Sequence, residues 1–163
     1  MKINSATSAQ IAASDASLST WLTANAGSGK TKVLIDRVAR LLLDGVQPEQ
    51  ILCLTYTKSA AAEMKNRLFD RLGKWAMLAD QELNLSLFET GIQRQLSTNE
   101  LKKARTLFAR AIEAPGGLKI QTIHAFCASL LRKFPLEAGI SPQFGELSER
   151  SQRDLYLRVL EII

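Results

Sequence analysis

The chain has 163 residues, 46% hydrophobic and 23% charged, with 21 basic against 16 acidic side chains, a formal net charge of +5 and a pI near 9.4. That is one domain's length with enough apolar residues for a core, which excludes disordered, collagen-like and disulfide-framework classes. The longest apolar runs fall short of 18 residues, and the first 20 residues carry neither a basic start nor an apolar centre. We therefore expect no membrane span, no secretion signal and a cytoplasmic location.

Taken in order, residues 3–17 are small and polar, and Ser8 to Ala16 is expected to form a short helix. Gln10 on this helix reads, by itself, as a surface polar residue. Leu18 to Thr23 is an apolar run expected as the first strand. It leads into Ala24-Asn25-Ala26-Gly27-Ser28-Gly29-Lys30-Thr31, and a helical pattern starts at once, from Gly29 to Leu43. Strand, small-residue loop ending in Gly-Lys-Thr, then helix is the layout of a phosphate-binding loop. Its glycines let backbone N–H groups turn inward around a polyphosphate, and the helix adds its positive end. Lys30 would reach the β- and γ-phosphates and the Thr31 hydroxyl would ligate Mg²⁺. The strict pattern G-x-x-x-x-G-K-S/T has Gly where Ala24 stands, so Ala24 must avoid positive φ. The plainer alternative is a chance Gly-Ser-Gly turn ahead of a helix.

In that helix Val33, Leu34, Val38, Leu41 and Leu42 form the expected inward stripe, with Asp36, Arg37 and Arg40 facing elsewhere. Ile51 to Leu54 is a continuous apolar run that reads as a strand buried on both faces and paired with the first. It opens into Thr55-Tyr56-Thr57-Lys58 and a helix to about Ala79. Met64, Leu68, Leu72 and Trp75 point inward there, and Lys65, Arg67, Arg71 and Lys74 form a basic outer face. Asp80 to Leu96 has apolar residues without a clean period and is expected as helical pieces and loop.

Ser97 followed by Glu100 is a capping box. The helix it starts carries Leu101, Ala104, Leu107, Phe108, Ala111 and Ile112 on one face and stops at Pro115-Gly116-Gly117. Lys119 to Gln121 is a short strand. Thr122 then caps a helix with Ile123, Phe126, Cys127, Leu130, Leu131 and Phe134 inward, ended by Pro135. Ser148 opens a last helix with Leu155, Val159, Ile162 and Ile163 on one side. That apolar, uncapped end leads us to expect a longer protein. Cys53 and Cys127 lie in apolar stretches away from any C-x-x-C and are expected to be reduced and buried.

In an open parallel sheet, ligands bind beyond the carboxyl ends of the strands. The segments Thr55–Lys58 and Gln121–His124 would share that rim with the phosphate loop. Their hydroxyl, cationic and aromatic groups suit a single-stranded nucleic acid, phosphates on hydroxyls and Lys and a base on the Tyr ring. Tyr56 could equally be a core ring, His124 a hydrogen-bonded structural imidazole, and Lys58 with the 65–74 basic face merely solvated. No apolar strand ends in paired acids, the group that stands behind Mg²⁺ in hydrolysis. Nucleotide binding without efficient turnover is therefore expected.

These residues resemble the first RecA-like domain of UvrD/Rep-type superfamily 1A helicases, and most of all AddA-type members of AddAB helicase–nucleases, close to RecB. Ala24 to Thr31 is similar to that family's A-x-A-G-S-G-K-T, where Ala24 is normal. Leu54 to Met64 looks like motif Ia, with Tyr56 for the usual Phe and Ser59 where a cation or Ala is common. Gln121 to Cys127 looks like motif Ib, Phe134 to Gly139 is similar to an F-P-L-E-A-G stretch of AddA proteins, and Gln10 stands where the Q motif expects its Gln.

The resemblance implies an α/β fold: a partial RecA-like P-loop domain, with residues 1–76 its first part, 77–114 a helical 1B-type insertion, and 115–163 the motif Ib segment and following helix. It implies ATP and Mg²⁺ as cofactors, adenine on Gln10, and DNA on Thr55, Tyr56, Thr57, Lys58, Thr122 and His124. The intact protein would unwind DNA 3′→5′ in double-strand-break repair with a nuclease and an AddB-like partner, using motifs beyond residue 163. A UvrD-like helicase without nuclease remains an alternative, as does a P-loop kinase or a simple nucleotide-binding module.

Overall fold

The computed structural model describes residues 5–23, 25, 27, 29–145 and 147–161. In chain order these form α1 (Ser5–Ala13), α2 (Lys30–Asp44), a 3-10 turn (Pro48–Gln50), β1 (Leu52–Thr55), α3 (Lys58–Met77), α4 (Asp80–Glu89), α5 (Thr98–Glu113), β2 (Lys119–Thr122), α6 (Ile123–Lys133) and α7 (Glu149–Leu160). The chain divides into two compact units, 1–122 and 123–163.

The first unit is built on α3. Its expected stripe is realised: Met64, Leu68, Leu72 and Trp75 are all buried. They meet Ile35, Val38 and Leu42 of α2, Leu83 and Leu87 of α4, and Leu101, Ala104, Leu107 and Ala111 of α5 in one core. Each fully buried leucine there stabilises the fold by about 1.5–3 kcal/mol relative to exposure. The Trp75 indole N–H, buried with its ring, donates to Ser86 Oγ at 2.8 Å, so the indole is not left without an acceptor. Residues 80–96, the least regular stretch of the sequence, supply α4 and the loop that brings Leu96 into the same core.

Helix ends follow the local chemistry. Gly45, at φ +101, closes α2: its N–H and that of Val46 return to the Leu42 and Leu41 carbonyls. This is the paired C-terminal closure that an αL residue permits. Ser97 and Glu100 form the expected reciprocal cap of α5. Arg94 and the Ser97 N–H and hydroxyl together hold the Glu100 carboxyl down at about 2.

Several expectations are corrected. Leu18 to Thr23 forms no strand; it carries no ladder partner among the described residues, and Trp21 is 90% exposed. The parallel pairing instead joins β1 to β2, in register from Leu52 with Lys119 to Thr55 with Thr122. β1 is covered on one face only, leaving Leu52 and Leu54 exposed. In α2, Ile35 and not Leu34 turns inward, because the buried arc is centred one residue further on. Asp36 does not face solvent: it is 3% exposed and ion-paired with Arg71 of α3, which leaves the expected outer basic face for this contact. Ile112 is exposed.

In the second unit α6 exposes Ile123, Leu130, Leu131, Phe134 and Cys127, so the expected inward face is uncovered and Cys127 is not buried. Ser148 caps α7 by accepting from the Ser151 N–H at 3.1 Å, as expected. Leu155 and Val159 on that helix are exposed, and Ile162 and Ile163 lie outside the described residues.

Candidate nucleotide-binding loop and strand-end rim

The loop before α2 is built on two glycines in the left-handed region, Gly27 at φ +80 and Gly29 at φ +91. Side chains at these positions would strain the backbone. Ala24, Ala26 and Ser28 lie outside the described residues. Lys30, the first residue of α2, folds its side chain back so that Nζ donates to the Asn25 carbonyl at 2.8 Å. The loop is thus spanned by its own lysine, and Thr31 follows in the helix's first turn. A positive helix end, two loop glycines free of Cβ, an ammonium and a hydroxyl make a donor set that fits a polyphosphate with a divalent cation.

Gln10 reaches this loop from α1. A Cβ added to Gly29 would stand 2.8 Å from Gln10 Nε2, so the glycine is needed for space as well as for φ. Gln10 is half-buried, which sets aside its reading as a plain surface residue.

α1 is tied to α2 through carbonyl groups at and beyond its end. Arg40 Nη1 donates to the Ile11 carbonyl and to Ser14 Oγ, both at 3.1 Å. Ser14, fully buried, donates its hydroxyl to the same Ile11 carbonyl at 2.8 Å, and its N–H goes to the Gln10 carbonyl at 3.0 Å. Arg37 donates to the carbonyls of Asp15 and Leu18. These two arginines take up carbonyls that a helix end leaves without intrahelical partners. Sequence reasoning turned both outward. The one signal for them was their spacing of three on a single helix face, but their acceptors lie 19 to 29 residues upstream, beyond what a period can reveal.

The second cluster is the rim at the carboxyl ends of β1 and β2. The parallel register sets Thr55 beside Thr122. The Thr55 hydroxyl donates to the Thr57 carbonyl at 3.0 Å, and Thr57 Oγ1 accepts from the Ala60 N–H at 3.1 Å as the N-cap of α3. The turn between strand and helix is therefore fixed by its own hydroxyls. It presents Tyr56 outward, 83% exposed, which overturns the reading of this ring as core. Lys58 is exposed at the first turn of α3. Thr122 is buried and contributes chiefly its place in the ladder. His124 belongs to the second unit, on α6, and is exposed.

Between the phosphate-loop helix and the helix that follows Tyr56 lies the ion pair of Asp36 with Arg71. Lys32 adds a second cation on Asp36 at 2.9 Å. Burial pushes the Arg71 guanidinium down from its usual value; it also lowers Lys32, helped by the charge of Arg71. A cavity of about 480 Å³ opens here, between Asp36, Arg67, Lys74 and Glu89.

The chain belongs to the UvrD/REP helicase N-terminal domain family, whose model matches residues 5–162. Among curated relatives, it is similar to the AddA-type protein of the ATP-dependent helicase/nuclease of Lactobacillus acidophilus, 32% identical over 134 residues, or 82% of this chain. It is likewise similar to the corresponding proteins of Leuconostoc mesenteroides, 32% identical over 132 residues and 81% of the chain, and Ligilactobacillus salivarius, 27% over 143 residues and 88% of the chain. The chain spans 9 to 10% of the length of these relatives. Among the described residues no helix is long and apolar enough to cross a membrane.

Proposed function

We propose that this chain is the ATP- and single-strand-binding front of a DNA helicase, from a helicase–nuclease that works in double-strand-break repair. The observation that carries the reading is the convergence on one loop of Gly27 and Gly29 at positive φ, the Lys30 ammonium and the Gln10 amide. Lys30 would hold the polyphosphate, Thr31 the Mg²⁺, residues 24–29 the phosphate oxygens through their N–H groups, and Gln10 the adenine edge. Bound Mg·ATP supplies the phosphoanhydride whose cleavage drives stepping in such motors; this chain's part is to bind and orient it. The fold class goes with this: a partial RecA-like domain in which residues 77–114 are a helical insertion, folded onto the first domain's own core.

DNA is assigned to the strand-end rim. Tyr56 would stack on a base, Lys58 would meet a phosphate, and Thr55, Thr57 and Thr122 would shape the turn that presents them. His124 would add a contact from α6. The names of the relatives support a nuclease elsewhere in the intact protein, an AddB-like partner and a cytoplasmic place of work.

The test is titration of the chain with a fluorescent ATP analogue and Mg²⁺. Lys30→Ala is expected to abolish binding while the thermal melt stays that of a folded chain. Equal affinity of the two proteins would overturn the assignment of the loop.

A further inference from the structure

Arg40 is on the phosphate-loop helix but ten residues past Lys30, about 15 Å along the axis at 1.5 Å per residue. It cannot share a phosphate with Lys30. Its guanidinium is instead turned toward α1, where it holds the Ile11 carbonyl and Ser14 Oγ. Ser14 in turn holds the Gln10 and Ile11 carbonyls. Behind Arg40 stands Gly91, at φ +103, whose missing Cβ would fall 2.8 Å from Ile11 Cγ2 and 2.9 Å from Arg40 Nη1. The turn after α4 thus closes on the Arg40–Ile11 contact so tightly that no side chain fits. Gln10, next in sequence to Ile11, lies with its amide over Gly29.

We propose that Arg40, through buried Ser14 and against Gly91, is a positioning residue that fixes the Gln10 amide over the nucleotide loop and so sets the preference for adenine. The inference rests on the reading of Gln10 as the base contact. A chain of hydrogen bonds from a rigid helix to the residue that reads the ligand is how a site holds a long amide side chain in a single orientation; loosening it costs discrimination before it costs phosphate affinity.

The experiment compares Mg²⁺-dependent binding of fluorescent ATP and GTP analogues to the chain and to Gln10→Ala, Arg40→Met, Arg40→Lys and Ser14→Ala, each with its thermal melt. Arg40→Met is expected to lower the ATP-over-GTP affinity ratio by about three- to tenfold, the value of roughly one hydrogen bond. Arg40→Lys should recover part of that loss, and Ser14→Ala should shift the ratio in the same direction by less. Should Arg40→Met fail to fold, the ratios of Arg40→Lys and Ser14→Ala decide. A folded variant that weakens both nucleotides equally, or neither, overturns the positioning role. If Gln10→Ala itself leaves the ratio unchanged, the adenine reading fails and this inference with it. If Gln10→Ala lowers the ratio and the Arg40 and Ser14 variants do not, the positioning role alone falls.

Discussion

Tyr56 shows how one residue's surroundings decide between core and function. An aromatic between two threonines at a strand end fits either; the turn hydrogen bonds made by Thr55 and Thr57 leave the ring no core to enter. An exposed ring contributes little to stability, so Tyr56→Ala should shift unfolding by no more than about 0.5 kcal/mol. If the ring stacks on a base, the same change should weaken binding of a labelled single-stranded oligonucleotide by about 1–3 kcal/mol. Anisotropy titration reads this directly, and an unchanged affinity in a folded variant would remove Tyr56 from the DNA contacts. Gly29 is the opposite case. Its loop position was legible from Gly-Lys-Thr, whereas the Gln10 amide against it, from a separate helix, was not.

At the scale of elements, the contact between α2 and α3 holds a charged pair where sequence periodicity placed two solvent-facing residues. Asp36 and Arg71 each sit at the margin of an apolar stripe, and helical spacing cannot tell a margin from an outer face. Because Asp36 is nearly sealed from water, removing it strands a guanidinium already destabilised by burial. Asp36→Ala should therefore cost about 3–5 kcal/mol, while the joint exchange Asp36→Leu with Arg71→Met should cost much less. Urea melts of the single and double variants check this; equal losses would show that packing, not charge, governs the contact. The pair joins the helix that follows the phosphate loop to the helix that follows Tyr56. The two candidate sites are thus mounted on elements bound by more than apolar contact.

For the whole molecule, the question is what this chain does by itself. Neither β1 nor β2 ends in an acidic residue; their last residues are Thr55 and Thr122. Hydrolysis in P-loop enzymes draws on a carboxylate behind the metal and a group that positions water. The chain is accordingly expected to bind Mg·ATP yet turn it over far below ~1 s⁻¹, the lower end of ordinary enzymes, with or without single-stranded DNA. A phosphate-release assay at saturating ATP tests this, and turnover at that rate would show that a catalytic group among these residues went unrecognised.

What the sequence determined by itself were the features written in neighbouring residues. The Gly-Ser-Gly-Lys-Thr loop, the capping box at Ser97 and Glu100, the αL stop at Gly45 and the inward face of α3 all depend on short spacings, where backbone geometry leaves few choices. What only the tertiary structure decided were features that join distant segments. The strand pairing of Leu52–Thr55 with Lys119–Thr122, the burial of Asp36 and the tie from Arg40 through Ser14 to Gln10 are of this kind. So is the absence of a ladder at Leu18–Thr23 among the described residues, since an apolar run becomes a strand only when another segment accepts its backbone hydrogen bonds. Pairing and burial are relations between elements, and a local pattern states what an element offers without stating what comes to meet it.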